Sequence, residues 1–141
     1  MKNPNFKNII IQAWSGMLVV LIAMLVLDPL RYLMQGQTQE LAKVLIHDPG
    51  EVGLQVLITM LAFNVLFQLA LQIANGKKFR LFSFIITCLY GLFFLLHNVI
   101  HFLGGEPLGL QTVLDFTHHI LAITACIYSW KWYCLNDTLS T

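Results

Sequence analysis

The chain has 141 residues, of which 57% are hydrophobic and 11% are charged, whereas an ordinary soluble domain carries about 25% charged residues. This composition excludes a water-exposed surface, because so few polar residues cannot cover one. The formal net charge of +1 and the lack of a basic tract give no sign of a nucleic-acid partner. The composition therefore predicts an all-α integral membrane protein in contact with the lipid bilayer, built as a single domain over residues 1–141.

Four stretches are long and apolar enough to cross a bilayer, which requires about 20 mainly apolar residues. They cover residues 9–27, 52–74, 79–102 and 112–134. Asp28 and Pro29 are expected to close the first of them. Because the second and third connections are short, consecutive helices are expected to lie side by side and antiparallel. The sequence therefore predicts an antiparallel four-helix transmembrane bundle.

The lysine and arginine residues predict the orientation of this bundle. Two residues, Arg31 and Lys43, lie in the first long loop, and the third connection has none. Six fall in the N-terminal segment, the second connection and the C-terminal segment: Lys2, Lys7, Lys77, Lys78, Arg80 and Lys131. The positive-inside rule then places both termini in the cytoplasm and the first and third loops outside. We expect a protein of the cell inner membrane, with these loops in the periplasm of a Gram-negative source.

The first outer loop contains a stretch typical of a short helix at the membrane interface. Residues 38–46 carry apolar side chains on most positions, with charges at Glu40 and Lys43. Such a helix connects two spans or covers the bundle as a lid.

The histidines are concentrated towards the outer ends of the predicted spans. His97 and His101 are four residues apart and share one helix face. His118 and His119 follow the start of the fourth span, with His118 about 9 Å inside it. Asp115 precedes them by one helical turn, so its carboxylate can reach either ring, as carboxylates do around metal-ligating histidines. His47 lies in the outer loop.

This histidine layer predicts a site for a transition-metal ion or for haem. A histidine pair on one helix with ligands from a neighbouring helix suits zinc or copper, and iron is a further candidate. His97, His101, His118, His119 and Asp115 are the candidate metal ligands. Haem b would need axial histidines on facing helices, which His97 and His118 could supply. A bound metal or haem would allow redox or hydrolytic chemistry. Without a metal, the histidines would allow ion handling, because they titrate near neutral pH.

The same residues also allow simpler roles. Asp115 fits a capping box begun by Thr112, and a histidine near the interface can anchor there with its tip in water. The chain would then be a non-enzymatic accessory, assembly or small transporter subunit, whose polar residues serve packing and contacts with other membrane subunits or a second copy. The sequence leaves open whether the protein is an enzyme, and it contains no motif of a known reaction.

A second polar feature is a stripe of amides on one face of the second span. Asn64, Gln68 and Gln72 recur every four residues. They predict hydrogen bonds between helices or a polar path through the membrane.

The three cysteines are Cys88, Cys126 and Cys134. Their spacing matches no zinc-binding or redox motif. They are predicted to be buried thiols that act as small apolar side chains.

Overall fold

The computed structural model describes residues 5–34, 36, 54–104 and 110–135. Within these ranges the chain forms four α-helices and no strand. They are α1 (Phe6–Met34), α2 (Leu54–Ile73), α3 (Lys77–Leu103) and α4 (Leu110–Tyr133). For these residues the prediction of an all-helical fold is confirmed, and each of the four predicted apolar stretches corresponds to one helix. The predicted short helix at residues 38–46 lies outside the described residues.

Two helix boundaries differ from the prediction. The first helix continues through Asp28 and Pro29 and ends at Met34. A proline inside a helix removes one backbone hydrogen bond, and a long helix can bend there without ending. The apolar segment of α1 does end at Leu27. At α4, the helix begins at Leu110, so Thr112 lies in the first turn and the capping role expected of it does not fit this start.

Long-range hydrogen bonds establish the relative directions of the helices. α1 packs against α2 and α4, and α4 also packs against α3. Lys7, near the start of α1, donates to the backbone carbonyls of Gln72 and Ala74 at the end of α2. Arg80, near the start of α3, donates to the carbonyl of Leu135 just beyond α4. Consecutive helices therefore run antiparallel.

A cluster of aromatic rings forms the centre of the packing. Trp14 of α1 is fully buried, and its ring centroid lies 4.6 Å from that of Phe67 and 4.7 Å from that of Tyr90. This contact joins α1, α2 and α3 in one place. The core also contains aliphatic side chains, among them Ile10, Met17, Leu21, Leu71, Ala122 and Ala125.

The outer faces of the helices are apolar, while several polar side chains are inside. Leu66 is 66% exposed and Ile123 is 59% exposed, and similar residues occur on all four helices. Among the residues whose burial is described, five polar ones are fully buried: Asn64, Ser83, Thr87, His118 and Ser129. In the described part of the chain, two helical segments are long and apolar enough to cross a membrane, Phe6–Leu27 and Lys77–Ile100. α2 contributes a shorter apolar segment, Ile58–Ile73.

One end of the molecule collects basic residues, and we call it the basic end. It comprises Lys7, Lys77, Lys78, Arg80 and Lys131, which lie near the start of α1, the start of α3 and the end of α4. Lys7 Nζ and Arg80 Cζ each lie 5.9 Å from the ring centroid of Trp132. Cations at this position also suit the C-terminal ends of α2 and α4, where unpaired backbone carbonyls carry partial negative charge.

Candidate functional site

A group of polar side chains from all four helices meets near the middle of the packing, and we call it the polar layer. It consists of Ser15 of α1, Asn64 and Gln68 of α2, Tyr90 of α3 and His118 of α4. The Ser15 hydroxyl donates to Gln68 Oε1 over 2.7 Å, and Gln68 Nε2 donates to Asn64 Oδ1 over 2.6 Å. Tyr90 Oη lies 3.2 Å from His118 Nε2. The layer thus contains hydrogen bonds between α1 and α2 and between α3 and α4.

Helical spacing explains how α2 supplies two members of this layer. Asn64 and Gln68 are four residues apart, so their side chains lie on the same face and bond to each other. The Asn64 side chain also lies beside the Tyr90 phenol of α3. Its Nδ2 nevertheless makes no hydrogen bond of normal geometry to a described residue.

Among the histidines whose side chains the structure describes, His118 is the most completely buried. Its exposed fraction is 0%, and its ring centroid lies 4.1 Å from that of Phe94 on α3. One ring nitrogen, Nε2, is held by Tyr90. The other, Nδ1, is buried and has no hydrogen-bond partner among the described residues. A buried polar nitrogen without a partner is costly, so this atom marks a place where a ligand would be stabilised.

His119 shows the same arrangement on the neighbouring residue. Its Nδ1 lies 2.7 Å from the backbone carbonyl oxygen of Asp115, so this nitrogen is protonated and donates. Asn98 Nδ2 lies 3.4 Å from the same nitrogen, but a second donor cannot bond to it. His119 Nε2 therefore holds the lone pair, and within the described chain this buried atom has no hydrogen-bond partner.

The other predicted metal ligands are less closely associated with the buried nitrogens of His118 and His119. His97 lies on α3, three residues beyond Phe94 and about 4.5 Å further along the helix axis, and it is half-buried. Asp115 is half-buried on α4, and its backbone carbonyl, in place of the expected carboxylate, accepts the bond from His119. The side chain of His101 and the whole of His47 lie outside the described residues.

The structure gathers fewer metal-ligating groups than the sequence predicts. In the part of the chain that the structure describes, no three His, Cys, Asp or Glu residues come together as a group that could hold a metal ion. His118 also lies deeper than expected, because it is eight residues after Leu110, or about 12 Å along α4. Its partner Tyr90 is close to the midpoint of α3.

The predicted amide stripe divides between the interior and the surface. Asn64 and Gln68 belong to the polar layer, whereas Gln72 is exposed and contributes only its backbone carbonyl, to Lys7. Sequence reasoning missed Ser15 and Tyr90 as members of the layer. The signal that could have identified both is their position as hydroxyl-bearing residues in the interior of apolar spans.

Further buried hydroxyl groups extend from the polar layer towards the basic end. The Thr87 hydroxyl donates to the backbone carbonyl of Ser83 over 2.7 Å. The hydroxyls of Ser83 and Ser129 are buried and lack a hydrogen-bond partner among described residues.

Comparisons with protein families, curated proteins and solved structures find no match to this chain.

Proposed function

We propose that this chain is a multi-pass protein of the cell inner membrane, with four transmembrane helices in an antiparallel bundle. The distribution of side chains supports this, because polar groups such as His118 and Asn64 are buried while apolar residues cover the outside. Soluble monomers rarely expose large contiguous apolar surface, whereas lipid requires polar groups to turn inward. α2 and α4 have 20 and 24 residues and are therefore about 30 and 36 Å long, enough to span the hydrocarbon core.

The basic end supports an orientation with both termini in the cytoplasm, as the positive-inside rule requires. The polar layer then lies near the middle of the membrane, and His97 lies on its outer, periplasmic side. A green fluorescent protein fused to the C-terminus should fluoresce, and alkaline phosphatase fused at the same point should be inactive. The opposite pair of results would show that the orientation is reversed.

The function that the geometry supports best is binding of a transition-metal ion by the adjacent histidines of α4. A single observation carries this proposal. In both His118 and His119, one ring nitrogen is held by a protein group and the other is buried without a partner in the described chain. Metal-ligating histidines have this pattern, because a second group orients the ring while the free nitrogen binds the ion.

In this role each histidine has a defined tautomer. His119 would bind through Nε2, with Nδ1–H donating to the Asp115 carbonyl. His118 would bind through Nδ1, with Nε2–H donating to Tyr90 Oη. Imidazole nitrogens favour zinc or copper. Two imidazoles leave further coordination positions of the metal ion open. His97 and His101 are the candidate ligands for these positions.

The packing of α3 against α4 favours a metal ion over haem. The His118 ring is in contact with Phe94. A Cβ atom built on Gly91 would lie 3.6 Å from Ala122 Cβ, so the two backbones approach closely one turn away. A porphyrin held between His97 and His118 would have to separate these helices.

Metal analysis of the purified full-length protein tests the proposal. We expect about one zinc or copper ion per chain after extraction in mild detergent and dialysis. His118→Asn and His119→Asn should each lose the metal. Thr117→Val is the matched control, because Thr117 is exposed on the same turn and its hydroxyl donates to the backbone carbonyl of Val113. Its metal content should equal that of the wild type.

Two results would contradict the metal site. One is a metal content at background in the wild type, when the protein is purified without chelators and loaded with zinc or copper. The other is an unchanged content in both histidine variants. A Soret absorption band in the purified protein would show that the bound group is haem and not a metal ion alone.

A second candidate function is favoured by the hydrogen bonds of the polar layer. The Ser15–Gln68 and Tyr90–His118 pairs each join two helices, as expected of polar residues that determine helix packing in membranes. The chain would then be a non-enzymatic accessory, assembly or small transporter subunit. In that case His118→Asn lowers the free energy of unfolding while no metal is bound by either form.

A further inference from the structure

Two cysteines that are far apart in the sequence meet between α3 and α4. Cys88 and Cys126 are separated by 38 positions, and their sulfur atoms lie 2.8 Å apart. Both are free thiols and half-buried, whereas Cys134 is exposed. The sequence predicts three independent buried thiols, so their pairing is a property of the tertiary structure.

The cysteine pair belongs to a regular line of contacts, which we call the cysteine seam. One turn towards the basic end, the rings of Phe84 and Trp130 lie 5.1 Å apart. One turn in the other direction, a Cβ on Gly91 would lie 3.6 Å from Ala122 Cβ. A disulfide requires Cβ atoms about 3.5–4.5 Å apart, so α3 and α4 approach along this seam at a separation that a disulfide can bridge.

We propose that Cys88 and Cys126 form a redox pair that cycles between two thiols and one disulfide, with a lipid-soluble quinone as the electron acceptor. In the forward step both S–H bonds break and one S–S bond forms. Two electrons and two protons pass to the two carbonyl oxygens of the quinone, which becomes the hydroquinone. Metal binding by the histidines of α4 does not enter this reaction.

The surroundings of the pair account for the choice of a quinone. The choice rests on the proposed membrane location, which places the pair among lipid-facing residues. Trp130 is 49% exposed beside it, and Ile85, Leu89 and Ile127 are exposed on the adjoining faces of the two helices. Charged oxidants such as glutathione disulfide enter an apolar region at high cost, whereas a quinone partitions into it. Its flat ring can stack on the half-exposed Trp130 ring.

The experiment counts thiols in full-length protein that has been reconstituted into lipid vesicles. Cys134→Ser provides the background, so that Cys88 and Cys126 are the only thiols left. The probe is decylubiquinone, whose ring carbons are all substituted and cannot add a thiol. After denaturation, a polyethylene-glycol maleimide should label two thiols per chain before quinone treatment, none afterwards, and two again after reduction with dithiothreitol. One hydroquinone should form per chain.

Single-cysteine controls separate pairing from oxidation of individual thiols. Cys88→Ser and Cys126→Ser, each combined with Cys134→Ser, should keep their one thiol through the treatment and reduce no quinone. Loss of the single thiol in these variants, or survival of both thiols in the Cys134→Ser protein, would overturn the proposal. Oxidation of the pair by diamide but not by the quinone would show that a quinone is not its electron acceptor. Sedimentation with the vesicles is measured separately, so a failed membrane assignment is distinguished from a failed redox pair.

Discussion

The polar layer and the basic end both join helices through hydrogen bonds, but they use different partners and different surroundings. In the polar layer, neutral side chains bond to each other inside the packing, as Ser15 does with Gln68. At the basic end, cations bond to backbone carbonyls near the surface, as Lys7 does with Gln72 and Ala74. The first set holds the middle of the helices together, and the second closes their ends.

This difference determines what happens when a partner is removed. A buried group that loses its partner keeps the cost of being separated from water, about 1–3 kcal/mol. A helix-end carbonyl at the surface can bond to water instead, so losing a cation there costs about 0.3–1 kcal/mol. Substitutions in the polar layer should therefore destabilise the protein more than substitutions at the basic end.

The largest effect is expected for Gln68→Leu. The substitution removes the bonds to Ser15 and Asn64. It leaves the half-buried Ser15 hydroxyl and the buried Asn64 side-chain oxygen without these partners, at a cost of about 2 kcal/mol. The matched control is Gln72→Leu, one turn along the same helix but exposed, with an expected change below about 0.5 kcal/mol. Unfolding in mixed micelles of dodecyl sulfate measures both. Equal effects would mean that burial does not separate the two glutamines.

A smaller effect is expected for Tyr90→Phe, which removes one hydroxyl and keeps the ring contacts with Trp14 and Phe94. The loss of its hydrogen bond with His118 should lower the free energy of unfolding by about 1 kcal/mol. Tyr133→Phe, at the end of α4, serves as the control and should change it little. A Tyr90→Phe protein as stable as the wild type would show that the hydroxyl contributes nothing to packing.

The smallest effect is expected for Lys7→Met at the basic end. The change removes two bonds to the end of α2 and should cost about 0.5 kcal/mol, an effect that weakens at high salt. Lys78→Met removes the same charge from an exposed position and should cost less. If Lys7→Met lowered the free energy of unfolding more than Gln68→Leu does, the proposed ranking of the two regions would be reversed.

The helices were predictable because apolar composition and length are local properties. The predicted stretches at 79–102 and 112–134 agree closely with α3 and α4. The short connection predicted between the second and third stretches corresponds to residues 74–76, between α2 and α3. The end of α1 was not predictable from Pro29, because a proline bends or ends a helix depending on what the rest of the chain allows.

The candidate site was predictable only in part. His118, His119 and Asp115 follow from spacing along one helix, and the structure keeps them together on α4. Tyr90 was missed as the hydrogen-bond partner of His118 because the two residues lie on different helices. Spacing along one helix carries no information about the rotation of its neighbour, and that rotation decides which residues meet.

By itself the sequence determined that the chain is helical, that four stretches of it are long and apolar, and that six of its eight lysine and arginine residues lie at one end of the predicted bundle. It could do so because composition and periodicity act within each segment. Only the tertiary structure decided which polar residues are shared between helices. It joined Gln68 to Ser15 and His118 to Tyr90, left Gln72 outside, and brought Cys88 to Cys126. Those pairings depend on how the helices are rotated and offset against one another, which the packing of the Trp14 ring and the close approach of α3 and α4 at Gly91 determine.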